Sequence, residues 1–429
     1  MLQNETVAVD DTAERILVVG DDMRIFLSIV RSLGRAGKEV HAAPFDWHAP
    51  ALKSRYVSAV HHLPRYSDDP VEWRNSLLEV LRKNSFNLIV PCCDRAILPL
   101  HAHRREFSEF PLAIPNPVSM KLLFDKAKTR KLCRQLGIPV VSGRHLKSND
   151  QATGLVAEHG LPLVIKAASS YSMDRLDSAG KVWILDTQSE LKALLVSLKN
   201  TSPYLVESYF EGVGTGVSVL AQDGKILHAF QHRRLREGRG GSSSYRVSEP
   251  VNKELRQACE RICLHTKMTG VCMFEFRCNP ESGKWVLLET NARFWGSSPL
   301  PLSLGVDFPR YLYDLMVLGI KHGQIEYPAG IRSRNFLLDG RNILSNACNS
   351  SRSELAGIMV DVADFVTQPV RWATGKERSD SIVVDDLMPA LWEFATLFRT
   401  LSQRQTRNRN SQLLRRRGES AVITGIMSR

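Results

Sequence analysis

The sequence predicts an α/β chain that opens with a doubly wound domain and continues in antiparallel hairpins. Three stretches carry this prediction. Arg15–Pro91 alternates short apolar runs with helical periodicity. Asp223-Gly224 stands between two runs of strand character, a strong hairpin signal. Met273–Gly296, MFEFRCNPESGKWVLLETNARFWG, reads as two strands around a polar turn.

In the first stretch, Arg15–Gly20 (RILVVG) is a β-branched run closed by glycine. Asp21-Asp22 then cap a helix whose apolar positions Ile25, Phe26, Ile29, Val30 and Leu33 recur at helical spacing. Gly37 ends it and Glu39–Ala43 starts a second strand, a βαβ opening. Another strand is expected near Val57–Leu63, a helix over Val71–Lys83 and a buried strand over Asn87–Pro91. The GxGxxG fingerprint is missing, so dinucleotide binding is not supported. Asp94, just past a strand end, faces the ligand crevice or caps the next helix; capping is the more common role.

After a turn at Pro115–Ser119, the spacing predicts one helix over Met120–Gly137, stopped by Gly137-Ile138-Pro139. Lys126 and Lys128 on it read as solvated charges or as ligands. Leu163-Val164-Ile165-Lys166 is an apolar strand ending in lysine. Such a lysine needs a partner, a phosphate oxygen for example, unless the strand is an exposed edge. The small, polar loop Ala168–Gly180 suits a flap. A helix over Ser189–Leu198 precedes the strand at Tyr204. Gln231–Tyr245 (QHRRLREGRGGSSSY) reads as a flexible basic loop, with Arg233, Arg234 and Arg236 suited to carboxylate or phosphate. Glu254–Thr266 is an amphipathic helix.

In the Met273–Gly296 hairpin, Glu275 lies between Phe274 and Phe276 and points away from both. Glu289, Asn291 and Arg293 stand two apart and share a face if the strand continues. Pairing Glu275 with Glu289 gathers two carboxylates, an amide and a guanidinium, a set that suits a hard cation such as Mg²⁺. The plainer reading is an exposed hairpin with surface charges. Beyond it, a helix is expected over Arg310–Leu318, strand over Ile331–Leu344 with Arg332 and Arg334, helix over Asp386–Leu401, and disorder past about Arg404 apart from the apolar patch AVITGIM.

Composition narrows the function class. Of 429 residues, 43% are apolar and 24% charged, as in ordinary globular proteins. No apolar run is long enough to span a membrane, and the acidic start MLQNETVAVDDTAER is no signal peptide, so the cytoplasm is the expected compartment. Cys92, Cys93, Cys133, Cys259, Cys263, Cys272, Cys278 and Cys348 form no CxxC pair, which disfavours zinc and disulfide frameworks. Part of the net charge of +12 sits in the tail, where Arg404, Arg407, Arg409, Arg415, Arg416, Arg417 and Arg429 face only Glu419. That tail is the sole support for nucleic-acid binding; the remaining charge fits small anionic substrates.

Taken in order, these motifs resemble the ATP-grasp superfamily, in its carbamoyl-phosphate-synthetase-like, carboxylate–amine ligase branch, over roughly Arg15–Leu318. The resemblance implies a flexible 1–14, a doubly wound pre-ATP-grasp domain over 15–115, and a two-lobed ATP-grasp fold. Its small lobe and hinge span 116–210 and its large lobe 211–330, followed by an accessory region over 331–403 and a basic tail over 404–429. It implies ATP and Mg²⁺ (with Mn²⁺ as a substitute) as cofactors. Phe124-Asp125-Lys126 and Lys166 resemble the phosphate lysines, and Glu207, Ser208, Tyr209 and Phe210 the adenine hinge. Glu275, Glu289 and Asn291 resemble the metal ligands, and Arg293 the catalytic arginine, with Arg234 a second pocket arginine. Two departures stand out: the flap is not glycine-rich, and Gly214 replaces the usual ribose-binding glutamate, a loss for which Glu211 could compensate. The implied reaction joins a small-molecule carboxylate to an amine through an acyl phosphate, releasing ADP and phosphate. Alternatives are a carboxylating or carbamoyl-phosphate-forming enzyme and a non-catalytic ATP-binding regulator. A homodimer would be unsurprising; no membrane partner is expected.

Overall fold

The computed structural model describes residues 14–173, 176–198, 203–238, 243–349 and 355–399. The expected flexible N-terminus, basic tail and AVITGIM patch lie outside these residues.

β1 (Arg15–Val19), β2 (Glu39–Ala43), β3 (Ala59–Val60) and β4 (Leu88–Pro91) form a parallel sheet in the order β3-β2-β1-β4. Alternate side chains on β1 face opposite layers. Ile16 and Val18 pack with α1 (Ile25–Arg35), whereas Leu17 and Val19 pack with α2 (Pro70–Asn84) and α3 (Asp94–Ala102). Helices on both faces make the sheet doubly wound, as expected. On α1, Phe26, Ile29, Val30 and Leu33 are fully buried, each contributing about 1.5–3 kcal/mol. The Asp22 carboxylate accepts the amides of Arg24 and Ile25 at the helix start. β3 is shorter than the expected Val57–Leu63.

The single helix expected over Met120–Gly137 is two, α4 (Pro117–Leu123) and α5 (Lys126–Gln135). The break is chemical: the Asp125 carboxylate accepts the amides of Ala127 and Lys128 and starts a new helix. β5 (Gly143–His145), β6 (Leu163–Ala167), β7 (Val182–Leu185) and β8 (Tyr204–Ser208) form an antiparallel sheet in the order β5-β8-β6-β7, covered by α6 (Ala152–His159) and α7 (Gln188–Ser197). β6 is therefore central, which excludes the edge-strand reading of Lys166.

The third sheet runs β13-β12-β9-β10-β11-β14-β15, with β9 (Val213–Gln222), β10 (Lys225–Glu237), β11 (Ser243–Glu249), β12 (Gly270–Cys278), β13 (Trp285–Asn291), β14 (Arg332–Arg334) and β15 (Glu377–Ser379). One face, including Phe274 and Phe276, packs on α8 (Lys253–Thr266). The other, including Val271 and Met273, joins the core around α1 and the helix Phe308–Val317.

Two expectations fail here. Gln231–Tyr245 is not a flexible loop: β10 and β11 take up most of it, and only 239–242 lie outside the described residues. Its arginines face acids distant in sequence, Arg233 on Glu249 at 2.5 Å and Arg236 on Asp339 at 2.5 Å. Ile331–Leu344 is strand only over Arg332–Arg334 and then becomes the helix Phe336–Asn349. Arg334 is fully buried among Asp339, Asp364 and Glu377, and Arg332 pairs with Asp364. Both arginines are thus structural partners of C-terminal acids. A final helix covers 388–399, and among the described residues no helix is long and apolar enough to cross a membrane.

Candidate active site

The site forms where the second and third sheets meet α5. Glu275 and Glu289 are direct cross-strand partners on β12 and β13, as the spacing predicts. Each carboxylate has a cationic neighbour from another element. Lys126, at the first position of α5, holds Glu289 at 3.2 Å. Arg234, on β10, holds Glu275 at 2.5 Å. The Asn291 amide donates to Glu275 at 3.1 Å. Lys166 reaches Glu207 of β8 at 3.2 Å, and Arg130 of α5 pairs with the same carboxylate. The Lys126 amide donates to the Ala168 carbonyl, which ties α5 to the loop after β6.

Electrostatics divides the two central carboxylates. Burial opposes ionisation of both. At Glu289 the charges of Lys126 and Lys166 win and bring its pKa to about 2. At Glu275 burial wins despite Arg234, and the pKa is raised. Burial also lowers Lys166 to about 8, since Glu207 only partly offsets the desolvation and the nearby Arg130 and Lys126 add repulsion.

Arg293 lies two residues past the end of β13, so it does not continue the strand face. Its Nε donates to Asp94 at 2.8 Å and its Nη1 to the Phe294 carbonyl at 2.8 Å. Asp94, in the first turn of α3, is an ion-pair partner rather than an N-cap, which is Cys93. Ser208 ends β8, Tyr209 and Glu211 are exposed beyond it, and Phe210 is half-buried. Lys128 is half-exposed and pairs with Asp125, apart from this cluster.

Glu237 escaped the sequence reading. A Cβ on Gly214 would overlap its carboxylate, so β10 delivers an acid over the place where β9 carries none. Arg234 and Arg277 hold it at 3.5 and 3.0 Å. Glu211 is exposed and offers its carbonyl to Asn279 instead. The signal was present as a glycine in β9 opposite an acidic strand end, but the register linking them was not readable.

Residues 241–307 match the model of the carbamoyl-phosphate synthase L chain ATP-binding domain. No protein of curated function matches the sequence. Among solved structures, an L-amino acid ligase from Bacillus licheniformis is 15% identical, with 71% of this chain and 74% of that chain aligned at a TM-score of 0.53. The biotin carboxylase domain dimer of a Hydrogenobacter thermophilus 2-oxoglutarate carboxylase, solved with MgADP, ADP and bicarbonate, is 15% identical over 74% and 73% at 0.58. N5-carboxyaminoimidazole synthetase from Staphylococcus aureus with ADP is 14% identical over 73% and 80% at 0.56. At such identities the likeness is one of fold.

Proposed function

This chain has the ATP-grasp fold, and from that premise we propose that it is an ATP-dependent carboxylate–amine ligase that works through an acyl phosphate and releases ADP and phosphate. The observation that carries the proposal is the directly paired Glu275 and Glu289 with Lys126 beside them and Lys166 at the neighbouring carboxylate.

The acids fit a hard cation. Two carboxylates placed opposite one another repel unless positive charge lies between or beside them. A pair of carboxylates suits Mg²⁺, which takes one or two of them and completes its shell with water and substrate phosphates. Glu275, Glu289 and Asn291 would hold it, and when bound it would neutralise charge on the triphosphate. Lys126 and Lys166 would hold phosphate oxygens, turning from Glu289 and Glu207. Ser208–Glu211 would line the adenine, and Glu237 would face the ribose hydroxyls in the place of the missing acid at Gly214. Arg293 would stabilise charge on the transferring phosphoryl or the tetrahedral oxyanion. Arg234 would hold Glu275 ionised and stand ready for the acyl acceptor.

The match of 241–307 to a carbamoyl-phosphate synthase domain supports a second reading, a bicarbonate-using enzyme. Calorimetric titration with ATP tests the primary one. Binding is expected only with Mg²⁺ present and lost in Glu289→Gln; equal binding without the metal would refute the assigned roles. Bicarbonate-dependent ADP release in the absence of any other acid would favour the second reading.

A further inference from the structure

Parallel sheets present ligand crevices at the carboxyl ends of their strands. In the N-terminal sheet that end is a recess with about 480 Å³ of atom-free space, part of it open to solvent. Its walls are aromatic, from Phe45, Tyr66 and Trp73. Its basic groups are Arg65 and Arg95; Arg95 stands in the first turn of α3, and its guanidinium lies 4.3 Å from the centre of the Phe45 ring. Arg95 directly follows Asp94, the residue that holds Arg293, so the recess adjoins the proposed reaction centre.

The recess is filled from the other side of the cleft. The loop after β6 places Leu176 into it, 5% exposed, and the Asp177 carboxylate on Arg95 at 2.9 Å. An aliphatic side chain and a carboxylate thus sit together against aromatic walls and a guanidinium. We infer that Leu176 and Asp177 stand in for the ligand, and that the recess binds the acid substrate: a carboxylic acid with an apolar body of about leucine size. This rests on the ligase reading given above and adds its substrate class. Among the described lining residues the one acid, Asp177, is paired with Arg95, so an amine finds less to bind than a carboxylate does. An inorganic polyanion would leave the aromatic walls unused. Binding of the acid therefore requires Leu176 and Asp177 to leave the recess.

The test is a ligand-observed NMR titration of the full chain with 4-methylpentanoate and with its amide, 4-methylpentanamide. The acid is expected to bind at least about tenfold more tightly than the amide, because only the acid offers Arg95 an anionic, two-oxygen acceptor. Arg95→Met should cut that preference at least about threefold, and Arg65→Met combined with it should erase it. Asp177→Asn should tighten the acid about two- to fivefold, the size of an exposed ion pair that no longer competes. The Arg95 and Asp177 side chains are part-exposed, at 31% and 54%, so neither of these single variants threatens folding. Equal affinity for acid and amide, or an Asp177→Asn affinity equal to that of the natural protein, would overturn the inference. A parallel MgADP titration separates the two levels. Failure of the acid with MgADP binding intact removes the pocket alone, and failure of both removes the ligase reading with it.

Discussion

Replacing Lys166 by methionine separates binding from stability. Lys166 is 6% exposed, and its pKa falls from the ordinary 10.5 to about 8. Keeping this amine charged in the fold therefore costs about 3 kcal/mol at neutral pH. The sign follows from protonation. Above the unfolded value neither state carries the proton and the cost is nil; it builds as pH falls from 10.5 to about 8 and is full below that. Methionine has nearly the same length and no charge. It leaves Glu207 paired with Arg130, so no buried charge is stranded. Lys166→Met should hold or gain stability, by up to about 3 kcal/mol, while nucleotide affinity falls about 10- to 100-fold, the worth of one charge-assisted hydrogen bond to phosphate. Urea unfolding at pH 7 and MgADP calorimetry read the two quantities. In the natural protein MgADP affinity should also decline above about pH 8, and in the variant it should not. A variant that loses more than about 1 kcal/mol of stability yet binds MgADP normally would refute this reasoning.

Other substitutions probe the remaining roles. Glu289→Gln should cut ADP release at least about 100-fold; in the natural protein the ionised Glu289 stabilises the fold above its ordinary 4.5, a contribution lost as pH falls toward about 2, so acid unfolding should show this step and the variant should lack it. Gly214→Glu should impair MgADP binding, read by calorimetry, because its side chain meets both Glu237 and Arg234. Arg293→Lys keeps a charge beside Asp94 but loses the forked donor, so ADP release should drop about 100-fold with MgADP affinity unchanged within twofold.

Local chemistry was legible in the sequence, and long-range pairing was not. Glu275 between two phenylalanines, and Glu289 and Asn291 two apart, placed the acids on one face because strand periodicity is fixed. Lys166 announced itself as a charge ending a buried run. Arg236 read as a carboxylate or phosphate binder, but its partners, Asp339 and Asp361, could not be named because they arrive from a hundred residues downstream. Arg293 was read along a strand that in fact ends at Asn291, and its partner Asp94 comes from the opposite domain. Glu237 was invisible for the same reason, since only the folded strand end brings its carboxylate over Gly214. The split of α4 from α5 was readable in principle, through Asp125 as a cap, but the continuous apolar spacing masked it.

The most direct test of the ligase proposal is a grid of carboxylic acids against amines, scored by ADP release from the purified chain with Mg²⁺ and followed by mass analysis of the product. One acid–amine pair should release ADP together, with neither partner sufficient alone, and should yield the amide mass. ADP release that needs no amine, or that proceeds unchanged in Glu289→Gln, would contradict the account.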